Sequence, residues 1–192
     1  VKLRFFGDSV CNGQYVSVNK TFPCLIANEH PDWTVTVSAR NGETTREALA
    51  RITHDVIKDP PDMLYVQYGI NDANKWSDGL GISRTSQLAF KANIKEIITR
   101  AKTAGIGRIM LGTNHPILKA YPADVLSTKT FEQMNELYNE AITVIGVNVG
   151  AVVIDHHSAW ASSDCTGRLM SDGVHLTEAG HMAYYQKIKE YL

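Results

Sequence analysis

Apolar runs of strand length alternate with longer segments of helical period along the whole chain. Strands are predicted over residues 2–6, 34–38, 63–67, 108–111 and 151–154. Apolar positions spaced three and four apart predict helices over residues 22–29, 45–57, 85–104, 130–145 and 177–191. Two of these helices carry stop signals, Asp59-Pro60-Pro61-Asp62 for one and Ala104-Gly105 for another. A strand followed each time by a helix is the pattern of a parallel sheet wrapped by crossover helices. The expected fold is therefore α/β, a three-layer α/β/α arrangement around five parallel strands. No repeat, low-complexity tract or Gly/Ser/Pro linker interrupts it, so residues 1–192 read as one domain.

In such sheets ligands bind beyond the carboxyl ends of the strands, and this sorts the polar segments by position. The first strand runs into Gly7-Asp8-Ser9, the second into ARNGETT with Gly42, and the third into YGIND with Asn71 and Asp72. The fifth is followed by SDGVH, with Asp172 and His175, just ahead of the last helix. Singly, each has a structural reading: a turn at Gly42, a helix cap at Asn71-Asp72, a tight turn at Asp172-Gly173. Together, on one edge, they suit acyl transfer. A serine hydroxyl needs a neighbouring base to become a nucleophile, and an imidazole titrating near neutrality serves. His175 is the candidate base for Ser9, and Asp172, three positions before it, can hold its other ring nitrogen. Attack on an ester carbonyl creates an oxyanion, for which the N–H groups of Ser9 and Gly42 and the Asn71 side-chain amide are candidate donors.

Across nearly its full length the chain resembles the SGNH hydrolases, also called GDSL esterases. The four blocks of that family are matched in order by Ser9 in GDS, Gly42 in NGETT, Asn71 in GIND and His175 in DGVH. The DGVH segment, with Asp172 three before His175, is the most specific match, and Val10 departs from the Leu of G-D-S-L. The resemblance implies a flavodoxin-like sheet, a Ser9-His175-Asp172 triad and no cofactor. The G-x-S-x-G elbow of the α/β-hydrolases is missing around Ser9. Asp8 is expected to shape the Ser9 loop, and Asp72 to support Asn71.

Composition narrows the partner. With 19 Lys and Arg against 20 Asp and Glu, no bulk field favours nucleic acid, and no apolar stretch reaches membrane-spanning length. The three cysteines form no C-x-x-C pair, which argues against a structural zinc site and for a reducing, cytoplasmic setting, unless a leader was removed ahead of Val1. The polar loops NGQYVSVNKT, NDANKWSDGLG and SSDCTGRL suit a small acyl group on a polar carrier better than a long lipid chain. An acetyl group on a sugar is the expected substrate, and a lipid-type ester or a thioester is the alternative within the family. His115, Trp76, Arg46, Arg84 and Tyr121 fall near the same edge and are candidate pocket residues, each also readable as a surface or packing position. His54, His30 and His181 are expected on surfaces. Two other classes compete: a metal-dependent phosphoesterase using Asp8, Asp72, Asn114, His115 and His181, and a non-catalytic flavodoxin-like binding module.

Overall fold

Five parallel strands form the central sheet in the order β2-β1-β3-β4-β5. The computed structural model describes residues 1–76, 80–123, 125–161 and 165–192. Residues 77–79 and 162–164, parts of two of the polar loops noted above, lie outside the described residues. The strands are β1 (Lys2–Gly7), β2 (Thr34–Ala39), β3 (Met63–Gln67), β4 (Arg108–Gly112) and β5 (Val152–Ile154). Every residue of β3 is buried, as a strand with neighbours on both edges and helices on both faces requires, and its sequence MLYVQ is accordingly almost wholly apolar. β2 alternates Thr and Val at the sheet edge and stays half-exposed.

The helices are α1 (Ser9–Asn12), α2 (Phe22–Glu29), α3 (Thr45–Ile52), α4 (Ile70–Ala73), α5 (Gln87–Thr103), α6 (Phe131–Val149), α7 (His156–Ala161) and α8 (Glu178–Lys189). α3, α5 and α6 pack in succession to form one layer, and α2 packs against α8 in the other. The predicted three-layer α/β/α arrangement is what the structure has. α6 runs four residues past its predicted end, to a left-handed cap at Gly150. The predicted helix over residues 45–57 keeps α geometry only to Ile52 and widens into a π-helical turn at Thr53–Ile57. α1, α4 and α7 were not predicted; none is long enough to show a helical period.

This strand order places a topological switch point between β1 and β3, where connections leave toward opposite sides and open a crevice. The register aligns the ends that face it: Gly7 pairs with Ala39 on one side and with Gln67 on the other. The segments carrying Ser9, Gly42 and Asn71 therefore leave the sheet at the same level.

Candidate active site

Ser9 owes its position to Asp8. The Asp8 carboxylate caps α1 by accepting from Val10 N at 3.0 Å, which turns the chain sharply at the end of β1 and makes Ser9 the first helical residue. The expected loop-shaping role of Asp8 is thus what the geometry shows. The wholly buried Asp8 carboxyl has its pKa raised to about 7. Burial is the main cause, with the Asp72 and Glu43 charges adding to it and the Val10 and Asn71 donors opposing it.

The Asp172-Gly173-Val174-His175 turn builds itself from one side chain. Asp172 Oδ1 accepts from Val174 N (2.9 Å) and His175 N (3.0 Å), and Oδ2 lies 2.5 Å from His175 Nδ1. Burial works against the Asp172 charge, yet the His175 ring and the two N–H donors hold its carboxyl below the usual value. With Nδ1–H given to Asp172, His175 Nε2 presents a lone pair, and it stands 2.9 Å from Ser9 Oγ. Ser9, His175 and Asp172 form one continuous chain of hydrogen bonds, able to pass the serine proton to the imidazole while the carboxylate balances the charge.

Asn71 sits in α4, directly across the crevice, and Nδ2 donates to Asp8 Oδ2 and to Glu43 O, each at 3.1 Å. Both of its amide hydrogens are thus engaged, and an oxyanion would take one of them over. Asp72, expected to support Asn71, directs its carboxylate elsewhere. The Asp72 carboxylate accepts from Thr45 N and Thr45 Oγ1 instead and ties α4 to the start of α3. Glu43 is held in turn by buried Arg51, which also donates to the carbonyls of Gly7 and Ser38 at the ends of β1 and β2. Gly42 lies exposed at φ +74° in the turn before them.

A cavity of about 90 Å³ opens beside Ser9, lined by Asn71, His175, Asp172, Val174, Ile70, Asn74, Lys119 and Phe131. Gly42 is not among its lining residues. A second cavity of about 180 Å³ shares Asn74, Lys119 and Phe131 with the first and adds Trp76 and Tyr121. Those two pocket candidates therefore line the neighbouring cavity, not the one at Ser9. Arg84 lies over the Trp76 ring, 5.4 Å from its centroid, and Arg46 is an exposed residue in the first turn of α3 that lines neither cavity. His115 is corrected outright: it is fully buried, with its ring turned to Tyr184 and Val174 rather than to the cavity. His181, expected at the surface, is also buried, and its Nδ1 accepts from Phe22 N at 3.3 Å. Lys119, Phe131 and Asn74 were not singled out from sequence. Nor was Tyr15, whose exposed ring meets His175 edge-on at 5.1 Å and whose φ of +73° is unusual for a residue with a side chain.

Among the described residues, Glu132, Glu136 and His157 are the group whose ligand atoms gather within 4.8 Å, and none of the three borders the cavity at Ser9. Asp8, Asp72, His115 and His181 make no such group among the described residues.

The sequence profile of the GDSL-like lipase/acylhydrolase family matches residues 5–183. The chain belongs to that family. Membership favours ester hydrolysis over the phosphoesterase and binding-module readings. An arylesterase of Vibrio mimicus is 27% identical over 119 residues, a match covering 60% of this chain and 56% of the relative. The chain thus spans little more than half the length of that protein. An uncharacterized lipoprotein of Bacillus subtilis, YqeF, is 22% identical over 96% of this chain and 86% of its own length. Among solved structures, the acetyl xylan esterase AlAXEase superposes with a TM-score of 0.82 over all of both chains at 20% identity. The acetylxylan esterase Axe2 of Geobacillus stearothermophilus gives 0.79 over 98% of this chain and 93% of its own, also at 20% identity. At that identity the likeness is one of fold. No helix among the described residues is long and apolar enough to cross a membrane.

Proposed function

We propose that this GDSL esterase removes a short acyl group, acetyl above all, from a polar alcohol such as a sugar hydroxyl, with Ser9 as nucleophile. The observation that carries the reading is the unbroken Ser9–His175–Asp172 chain at the mouth of a cavity of about 90 Å³. A cavity of that size suits a small acyl group such as acetyl better than an octanoyl chain. The neighbouring cavity of about 180 Å³, with Trp76, Tyr121 and Lys119 in its wall, suits the alcohol: aromatic faces and a cation beside a polyhydroxylated ring. The acetyl xylan esterases that share the fold support the same substrate class.

In this mechanism His175 Nε2 takes the Ser9 proton as Oγ attacks the carbonyl carbon, and Asp172 stabilises the imidazolium. The tetrahedral oxyanion is received by the Ser9 N–H and Asn71 Nδ2. The imidazolium protonates the departing alcohol, leaving acetyl-Ser9, and a water activated by the same ring releases acetate.

The test is hydrolysis of p-nitrophenyl acetate, butyrate and octanoate by the wild type and by Ser9→Ala, with EDTA in parallel, followed by acetylated xylo-oligosaccharides. Acetate preference that vanishes in Ser9→Ala and ignores EDTA is expected. Full activity in Ser9→Ala, or a preference for octanoate, overturns the reading.

A further inference from the structure

The loop after β4 supplies no reacting group to the chemistry above, yet its donors converge on the turn that carries Asp172 and His175. Leu118 N and Lys119 N both donate to Gly173 O, at 2.9 and 3.3 Å, and His115 Nε2 lies 2.7 Å from Val174 O. Gly173 sits at φ +69°, and a Cβ there would stand 2.7 Å from Lys119 N, so the two loops touch backbone to backbone. Val174 O belongs to the same peptide group as His175 N, whose hydrogen goes to Asp172 Oδ1. One peptide unit is thus gripped from both sides, by His115 on its oxygen and by Asp172 on its nitrogen.

A carbonyl only accepts, so the His115 ring carries its hydrogen on Nε2. Its Nδ1 is then a lone pair, 2.8 Å from Tyr184 OH, which donates to it. The same phenolic oxygen accepts from Gln67 Nε2 (2.9 Å) and from His115 N (3.3 Å). Gln67 Oε1 receives Tyr65 OH, whose oxygen is 2.9 Å from His156 Nε2. His156 also stacks flat on the Tyr184 ring, with centroids 3.8 Å apart and an interplanar angle of 6°. All of these side chains are buried, and burial pushes the His115 pKa down to about 4, which keeps the ring neutral near pH 7.

We propose that His115 is a positioning residue for the catalytic base: it donates from Nε2 to the carbonyl of the Val174–His175 peptide, and Tyr184 fixes the tautomer that makes this donation. This rests on the reading of His175 as the base. A donor on a peptide oxygen polarises the group and strengthens its N–H as a donor in turn, here to Asp172 Oδ1. Asp172 is thereby held with Oδ2 against His175 Nδ1, and Nε2 stays aimed at Ser9. Without the hydroxyl of Tyr184, Nδ1 has no donor facing it, and the ring is free to exchange tautomers and turn a lone pair toward the Val174 oxygen.

The test compares wild type with Tyr184→Phe, His115→Ala and His115→Gln, each well below its own Tm. Two quantities are read: kcat and KM on p-nitrophenyl acetate per site titrated by a serine-directed phosphonate, and the downfield NMR resonance of the proton between His175 Nδ1 and Asp172. Tyr184→Phe keeps the shape of the ring and provides the fold control. It is expected to lose roughly tenfold to a hundredfold in kcat with little change in KM, and to shift or broaden that resonance, as slight misplacement of a reacting group does. His115→Gln, whose amide can donate to Val174 O, is expected to recover part of the kcat lost in His115→Ala. A Tyr184→Phe enzyme with wild-type kcat per titrated site and an unmoved resonance overturns the proposal, whatever happens to its Tm. Equal losses in His115→Ala and His115→Gln overturn it as well. A wild type inactive on every ester sinks the functional reading instead, and the resonance alone then decides the role of His115.

Discussion

Asp8 offers the sharpest quantitative test of the site's electrostatics. Its carboxyl is raised from the ordinary 3.8 to about 7 in the folded chain, chiefly by burial and further by the negative charge of Asp72 and Glu43 nearby. Between those two pH values the folded chain binds a proton at Asp8 that the unfolded chain has already released. Stability therefore falls as pH rises through this window; it is undiminished below the unfolded value and fully reduced above the folded one. A shift of about three units at 1.36 kcal/mol each makes the whole effect about 4 kcal/mol. Asp8→Asn abolishes the titration. The asparagine oxygen can still cap Val10 N, while its amide meets the Asn71 amide donor to donor, a penalty that does not vary with pH. The slope of the difference, rather than its offset, is the observable. Urea unfolding of both proteins from about pH 4 to about pH 8 should show the wild type losing about 4 kcal/mol relative to the variant as pH rises. Parallel curves would mean that Asp8 ionises in the folded chain at its ordinary value, and that burial imposes no cost on its charge.

Asn71→Ala should lower kcat on p-nitrophenyl acetate by about 10²- to 10³-fold with little change in KM, the loss typical of one oxyanion donor. Wild-type kcat in that variant would exclude Asn71 from the oxyanion hole. Gly173→Ala places a Cβ 2.7 Å from Lys119 N at a φ of +69°, so it should destabilise the fold by at least about 1 kcal/mol and lower kcat further by moving His175. Thermal unfolding and steady-state kinetics check the two effects, and an unchanged kcat would show that the contact between the two loops does not position the base.

What could be read from the sequence, and what could not, divides by how far along the chain a residue's partners lie. Asp172 and His175 were legible because their contacts close within four residues, and Asp8 and Ser9 because a cap is local. The strands were legible because apolar runs and their Gly and Pro boundaries are local too, and the four motif blocks then fell on one edge of the sheet as topology requires. His115 was placed in the same neighbourhood but on the wrong side of its loop, since its partners Val174 and Tyr184 stand 59 and 69 residues away. Asp72 was paired with its sequence neighbour Asn71 when its true partner, Thr45, comes from a helix 27 residues earlier. Lys119 enters the cavity from the segment between β4 and α6, which has no periodicity to read, and Phe131 from the first position of α6, where a helical period does not tell which way the side chain faces. The residues of the Ser9–His175–Asp172 chain are thus specified by short-range pattern, and the groups that hold and enclose them by packing between distant segments. The segment between β4 and α6 belongs to the second kind on both counts, because it places Lys119 in the cavity wall and holds the Asp172–His175 turn through Leu118 N, Lys119 N and His115 Nε2.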